Sequence, residues 1–330
     1  MAIDHAPLAN CIRALAIDAV ETAQSGHPGA PMGMADAITV LARNHLKFDA
    51  GAPDWADRDR LVLSNGHASM LLYALLHLLG VEAVTMDTLR NFRQIGSAAA
   101  GHPEYGHLPG IETTTGPLGQ GFAAAVGMAM TERLLRAEFS EAAVDHHTYV
   151  MLGDGCLQEG IGQEALSLAG HLGLGKLVVL YDDNGITIDG ETDVSFSEDV
   201  PARFAACGWH VQQCDGHDPD ALDAAITTAK ANTAQPSMIA MKTTIGFGAP
   251  TKAGTAASHG APLGAEEAAA AKQALGWDAE PFLIPDALLT AWQAIGARGA
   301  EARSAWQARI DALDPSRRRE FLLPMAGALP

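Results

Sequence analysis

The 330-residue sequence predicts an α/β fold: one open, mostly parallel sheet flanked by helices, with a helical extension towards the C-terminus. Three observations lead there. Short, continuous apolar runs alternate with longer helical patterns, as expected for strands covered on both faces by crossover helices. Three polar, glycine-bearing segments follow or adjoin such runs: Ser64-Asn65-Gly66-His67, Gly153-Asp154-Gly155 and Asp182-Asp183-Asn184-Gly185. From about Gly276 the pattern changes to helices punctuated by Pro281, Pro285, Pro315 and Pro324.

In chain order, helices are expected over Leu8 to Thr22 and Met34 to Asn44, then a strand at Leu61-Val62-Leu63 and a helix from Ala68 to Leu79. A helix from Gly119 to Phe139 leads to a strand at Thr148 to Leu152, a helix from Gly162 to His171 and a strand at Leu177 to Tyr181. Strands at Trp209-His210-Val211 and Met238 to Met241 enclose a helix from Asp218 to Ala231. The expected division is a domain over 1–275 and a helical extension over 276–330. The run Arg317-Arg318-Arg319 reads most simply as a solvated helix face, with a salt bridge or partner contact as the alternative.

Bulk properties narrow the function classes. A net charge of −18 argues against nucleic acid or an anionic membrane surface as partner, though a site can be locally positive inside an acidic protein. No apolar run approaches the length of a membrane span. Met1 to Asn10 carries Asp4 and no basic segment leading into an apolar one, so no secretory signal is expected. Cys11, Cys156, Cys207 and Cys214 show no CxxC spacing, as for free thiols in a reducing cytoplasm.

Open parallel sheets bind ligands beyond the carboxyl ends of their strands. Asp154 follows one apolar strand, and Asn184 follows the next, 30 positions later. A carboxylate and a carboxamide at adjacent strand ends can meet at one hard cation, and Mg²⁺ usually shares its oxygen ligands with phosphates. The glycines let backbone N–H groups approach phosphate oxygens. Alone, Gly153-Asp154-Gly155 is equally a tight strand-to-helix turn; the downstream asparagine favours the cation.

Gly153-Asp154-Gly155 with Asn184 resembles the thiamine-diphosphate signature, and further blocks resemble transketolases in particular. These are Ser25-Gly26-His27-Pro28-Gly29-Ala30-Pro31-Met32-Gly33, Asn65-Gly66-His67-Ala68-Ser69, Gly101-His102-Pro103-Glu104, Thr115-Gly116-Pro117-Leu118-Gly119-Gln120-Gly121, Gly155-Cys156-Leu157-Gln158-Glu159-Gly160 and Ser258-His259-Gly260-Ala261-Pro262-Leu263. The resemblance implies Mg²⁺ on Asp154, the Asn184 side chain and the Ile186 carbonyl. It implies diphosphate oxygens on His67, His259 and the Gly155 N–H, with Gly116 and Pro117 beside the cofactor. Leu118 and Ile186 would wall the thiazolium. His27, His102 and His259 would face the donor sugar, a role that suits a side chain titrating near neutrality. Most of the 13 histidines need be no more than surface or packed residues, but these four each adjoin glycine in loop-like stretches. Glu159 resembles the acid that links the two cofactor sites of a transketolase dimer; a carboxylate favoured at a helix start is the alternative.

The resemblance further implies transfer of a two-carbon ketol unit between sugar phosphates, as in the pentose phosphate pathway. The cofactor-activating glutamate and the pyrimidine-binding residues belong to a second domain that this chain does not resemble anywhere. A separate pyrimidine-binding subunit or a missing domain is therefore expected, with a dimer or heterotetramer as the working assembly. The approach to an interdomain linker is expected at Met325 to Pro330. Alternatives are a non-catalytic cofactor-binding or assembly module and a related enzyme such as dihydroxyacetone synthase; the deoxyxylulose-phosphate synthase branch fits the motifs less well. Two stretches depart from the family pattern, Gln94 to Ala100 and Ala256-Ala257, and they bear on sugar preference.

Overall fold

The computed structural model describes residues 3–325. Five strands form one all-parallel sheet: β1 (Arg60–Leu63), β2 (Thr148–Gly153), β3 (Leu177–Asp183), β4 (His210–Asp215) and β5 (Ser237–Lys242), in the spatial order β1-β2-β3-β5-β4. Alternate residues of the central strands enter two cores. Tyr149, Met151, Val178, Leu180, Ile239 and Met241 meet a layer that includes the helices His5–Ala23, Gly29–Val40, Ser69–Leu79 and Asp286–Ala297. Val150, Leu152, Val179, Tyr181, Met238 and Ala240 face the opposite layer, built on Gln120–Phe139 and Gly160–Leu172. Burial on both faces explains why these strands read as unbroken apolar runs.

Of the two edge strands, β1 is largely buried and β4 is different. β4 begins one residue after the expected Trp209 and continues through Gln212, Gln213 and Asp215, and every one of its residues keeps some exposure. At this edge the strand lacks full cover, so polarity persists and the apolar signal stops early. The second helix also departs from expectation. It begins at Gly29 instead of Met34, because Pro31 lies in the first turn, where its missing N–H has no bond to lose. It ends at Val40, and Leu41–His45 follow as a π-helical turn.

The helices of the C-terminal stretch pack on the rest of the chain. Trp292 is fully buried in the first core and its indole N–H donates to Leu8 O at 3.3 Å. Trp306, Ile310 and Phe321 join Trp55 and Phe139 in a third cluster. Arg317 pairs with Glu320 at 2.8 Å and lies over the Phe139 ring, while Arg318 pairs with Asp311 at 2.6 Å. Part of the arginine run is thus ion-paired. Residues 326–330, within the expected linker approach, lie outside the described residues. Among the described residues no helix is long and apolar enough to cross a membrane.

Candidate functional site

Parallel register places the site. Gly153 of β2 pairs with Asp182 of β3, so the chain leaves both strands side by side and delivers Asp154 and Asn184 to one end of the sheet. A cleft of about 360 Å³ opens there. It is lined by Asp154, Gly155, Asn184, Ile186, His27, His67, His259, Gly116 and Leu118 among the residues singled out from sequence.

At the strand ends, Tyr181 OH donates to one Asp154 oxygen, while Asp154 Oδ2 is buried with no partner. Asn184 is locked: its amide donates to Asp182 Oδ2 at 2.9 Å, and its Oδ1 accepts the Ile186 N–H at 2.9 Å. That carbonyl oxygen retains a second lone pair. Asp182 is itself held by the Thr243 hydroxyl. With only protein around them, burial pushes Asp154 up to about 6 and Asp182 up to about 7. Among the described residues no three histidine, cysteine or acidic side chains converge as a metal cage. A cation here would therefore draw on an orphaned carboxylate oxygen, a carboxamide, backbone carbonyls and oxygens of a ligand, which is how Mg²⁺ is commonly held. The donor set fits that ion.

Opposite these groups stands a cluster of imidazoles. The rings of His27 and His67 are 5.0 Å apart, those of His67 and His259 5.2 Å, and those of His27 and His259 5.8 Å. Burial, then the charge of Arg93 and the neighbouring rings, hold His27 down at about 4. Burial and the adjacent imidazoles hold His67 at about 3. Burial also lowers His259, whose Nδ1 is buried without a partner. At pH 7 these rings are neutral, and each offers one N–H donor and one acceptor.

Backbone proximity explains the glycines. A Cβ on Gly66 would stand 2.5 Å from Thr115 Oγ1, and one on Gly29 would stand 2.4 Å from the Ser258 carbonyl oxygen. The His67 and His259 segments thus approach their neighbours only because these positions lack side chains.

The family described as "Transketolase, thiamine diphosphate binding domain" matches residues 4–330. The chain belongs to the transketolase family. It is 58% identical over 323 residues to the transketolase of Rhodobacter capsulatus, covering 98% of this chain and 48% of that one. The transketolase of Leishmania mexicana superposes with a TM-score of 0.97 at 46% identity, over 100% of this chain and 50% of that one. A Pichia stipitis transketolase in complex with sedoheptulose-7-phosphate gives 0.94 at 42% identity, over 99% and 49%. The chain spans about half the length of the transketolases it matches.

Three expected residues are not part of the cleft lining. His102 is exposed and its ring lies against Gly116, where a Cβ would meet it at 3.2 Å. Pro117 is exposed. Glu159 is exposed and forms the N-cap of the helix Gly160–Leu172 with no side-chain cap bond, so both of its readings remain compatible with its position. Asn65, Asp182 and Ile245 join the lining without having been assigned a role; the first two lie in polar segments that the strand-end rule had marked. Arg93 had no such signal. Its guanidinium donates to Ser25 Oγ at 2.9 Å and reaches His27 Nδ1 at 3.4 Å, from a left-handed backbone (φ 60°) within a turn.

Proposed function

We propose that this chain binds Mg²⁺-thiamine diphosphate and works as the diphosphate-binding half of a transketolase. Completed by a pyrimidine-binding half, it would transfer a two-carbon ketol unit from a ketose phosphate to an aldose phosphate. The observation that carries this reading is the meeting of the unpartnered Asp154 oxygen, the locked Asn184 carboxamide and three neutral imidazoles in one cleft.

Asp154, Asn184 and the Ile186 carbonyl would hold the cation. The Gly155 N–H, His67 and His259 would hold the diphosphate; neutral imidazoles donate hydrogen bonds to it without requiring a buried charge. Leu118 and Ile186 give an apolar wall. Gly116, on the cleft lining, would lie beside the cofactor, with Pro117 next to it in the chain. A bound thiamine diphosphate supplies a carbon nucleophile and an electron sink. The chain's own contribution is to orient that group, exclude water along the apolar wall and handle protons at sugar hydroxyls. His27, His102 and His259 suit the last task because each neutral ring can give or take a proton. Arg93 N–H bonding to His27 Nδ1 leaves Nε2 as the protonated nitrogen of that ring. Glu159 would act across a subunit contact.

Sugar phosphates are the proposed substrates; the Pichia stipitis relative bound to sedoheptulose-7-phosphate supports that class. A dimer or heterotetramer is the proposed assembly, supported by the exposed Leu134, Leu168 and Ile188. The proposed compartment is the cytoplasm, in keeping with four free cysteines. The division into 1–275 and an extension over 276–330 is likewise proposed, with Trp292 anchoring the extension. Calorimetry tests the site: Asp154→Ala should abolish Mg²⁺-dependent thiamine diphosphate binding, and unchanged binding would overturn the cation assignment. Mixing with a separately produced second half tests turnover; no ketol transfer by the reconstituted pair would favour a binding module.

A further inference from the structure

Beneath the cleft lies a buried polar hub that the binding reading does not use. Asp36, on the helix Gly29–Val40, accepts from Arg13 and His217 at Oδ2 and from His5 at Oδ1, with the histidine contacts at 2.9 and 3.0 Å. Arg13 is itself nearly fully buried and donates to Met32 O and Asn10 Oδ1, both at 2.9 Å. Its guanidinium lies 4.5 Å over the Phe247 ring, and the His217 ring stacks on that same phenyl at 4.1 Å. Arg13 and Asp36 satisfy each other's charge. His217 has a further partner: its Nε2 accepts the backbone N–H of Thr244 at 3.0 Å.

This contact fixes the chemistry of the ring. A backbone amide can only donate, so Nε2 carries no proton, and Nδ1 must carry it and donate to Asp36. The imidazole therefore links a buried carboxylate to the residue before Ile245. From Thr244 the chain runs through Ile245, which lines the cleft, and on to His259. The segment is tied back on itself by Gly254 N–H on Ile245 O at 2.8 Å, and to the helix Gly29–Val40 by Gly246 N–H on Gly29 O at 2.9 Å. Thr244 is thus the chain neighbour of Ile245, and the Gly254 bond couples Ile245 to the stretch that leads to His259.

The geometry points to His217 as a positioning residue: as the Nδ1–H tautomer fixed by Asp36, it holds Thr244 and so sets Ile245 and His259 against the ligand. This rests on the cleft being the diphosphate site. It reaches beyond that reading by assigning a role to a residue that never touches ligand.

The test uses the whole chain and needs no turnover. Nitrogen chemical shifts of His217 in the wild-type protein should report protonated Nδ1 and bare Nε2; the opposite tautomer overturns the inference. His217→Phe keeps the stack on Phe247 and removes both nitrogens. Amide exchange at Thr244 and across 245–259 should then quicken by roughly five- to tenfold, the worth of one net hydrogen bond. His217→Gln, which offers both an acceptor and a donor, should restore slow exchange. His5→Gln, on the other Asp36 oxygen, should leave the segment unchanged. Equal exchange changes in His217→Phe and His5→Gln, or none in either, would mean a merely structural hub. Thiamine diphosphate with Mg²⁺ should bind His217→Phe roughly ten- to a hundredfold more weakly than wild type, the worth of one hydrogen bond to a charged group. Failure of the wild type to bind would count against the binding reading, whereas wild-type binding matched by His217→Phe would count against the positioning role.

Discussion

Gly29→Ala is the most demanding test of how the cleft is assembled. The added methyl would stand 2.4 Å from the Ser258 carbonyl oxygen and 2.6 Å from Ile245 Cγ1. Ordinary contact starts at 3.4 Å. The loop must therefore retreat by about 1 Å (3.4 − 2.4), since close-packed interiors hold no spare volume. The obstacle is backbone, which cannot rotate aside as a side-chain tip would. Overpacking of this kind costs about 1–3 kcal/mol. For a chain of this length that corresponds to a fall in Tm of about 1–5 °C. The displaced segment carries His259 and Ile245, so Mg²⁺-thiamine diphosphate binding should weaken along with stability. Thermal melts and calorimetry on the same preparation measure both. A variant that melts and binds like wild type would refute the claim that Gly29 sets the loop.

Gly155→Ala should show the reverse pattern. Its Cβ meets only the Leu118 side chain closely, at 2.7 Å from Cδ1, which can swing away; the melt should barely move while calorimetry shows diphosphate binding lost. The cleft imidazoles give a pH signature. His27 and His67 have depressed values in the folded chain against about 6.5 when unfolded, so their neutral forms stabilise the fold above that pH and this contribution is lost as pH falls towards 4. Comparing melts of wild type and His27→Gln from pH 7 to 4 isolates the effect: wild type should lose ground relative to the variant as pH drops. Trp292→Ala should cost about 3–5 kcal/mol in chemical denaturation, because the side chain is fully buried between the extension and the first helix. A small loss there would mean that the extension contributes little to the fold.

Much of the fold was legible because burial on both faces leaves a plain mark: four of the five strands are unbroken apolar runs, and only the half-exposed β4 blurred it. The site was legible where glycine, histidine and acid cluster beside strand ends, since a parallel sheet brings all its carboxyl ends to one side. That rule placed Asp154 and Asn184 from spacing alone. It could not place Arg93, which reaches His27 from a left-handed turn remote from any strand end, nor His217, whose partners Asp36 and Thr244 lie 181 and 27 residues away. It also left open why Gly29 is glycine, because the answer is the carbonyl of a residue more than two hundred positions later. By itself the sequence determined the sheet, the acid–amide pair and the family, all of which rest on local pattern and strand direction. The tertiary structure alone decided which rings are neutral, which side chains hold Asp154 and Asn184 still, and that the C-terminal helices share the core. Those properties depend on burial and on distances between segments far apart in the chain.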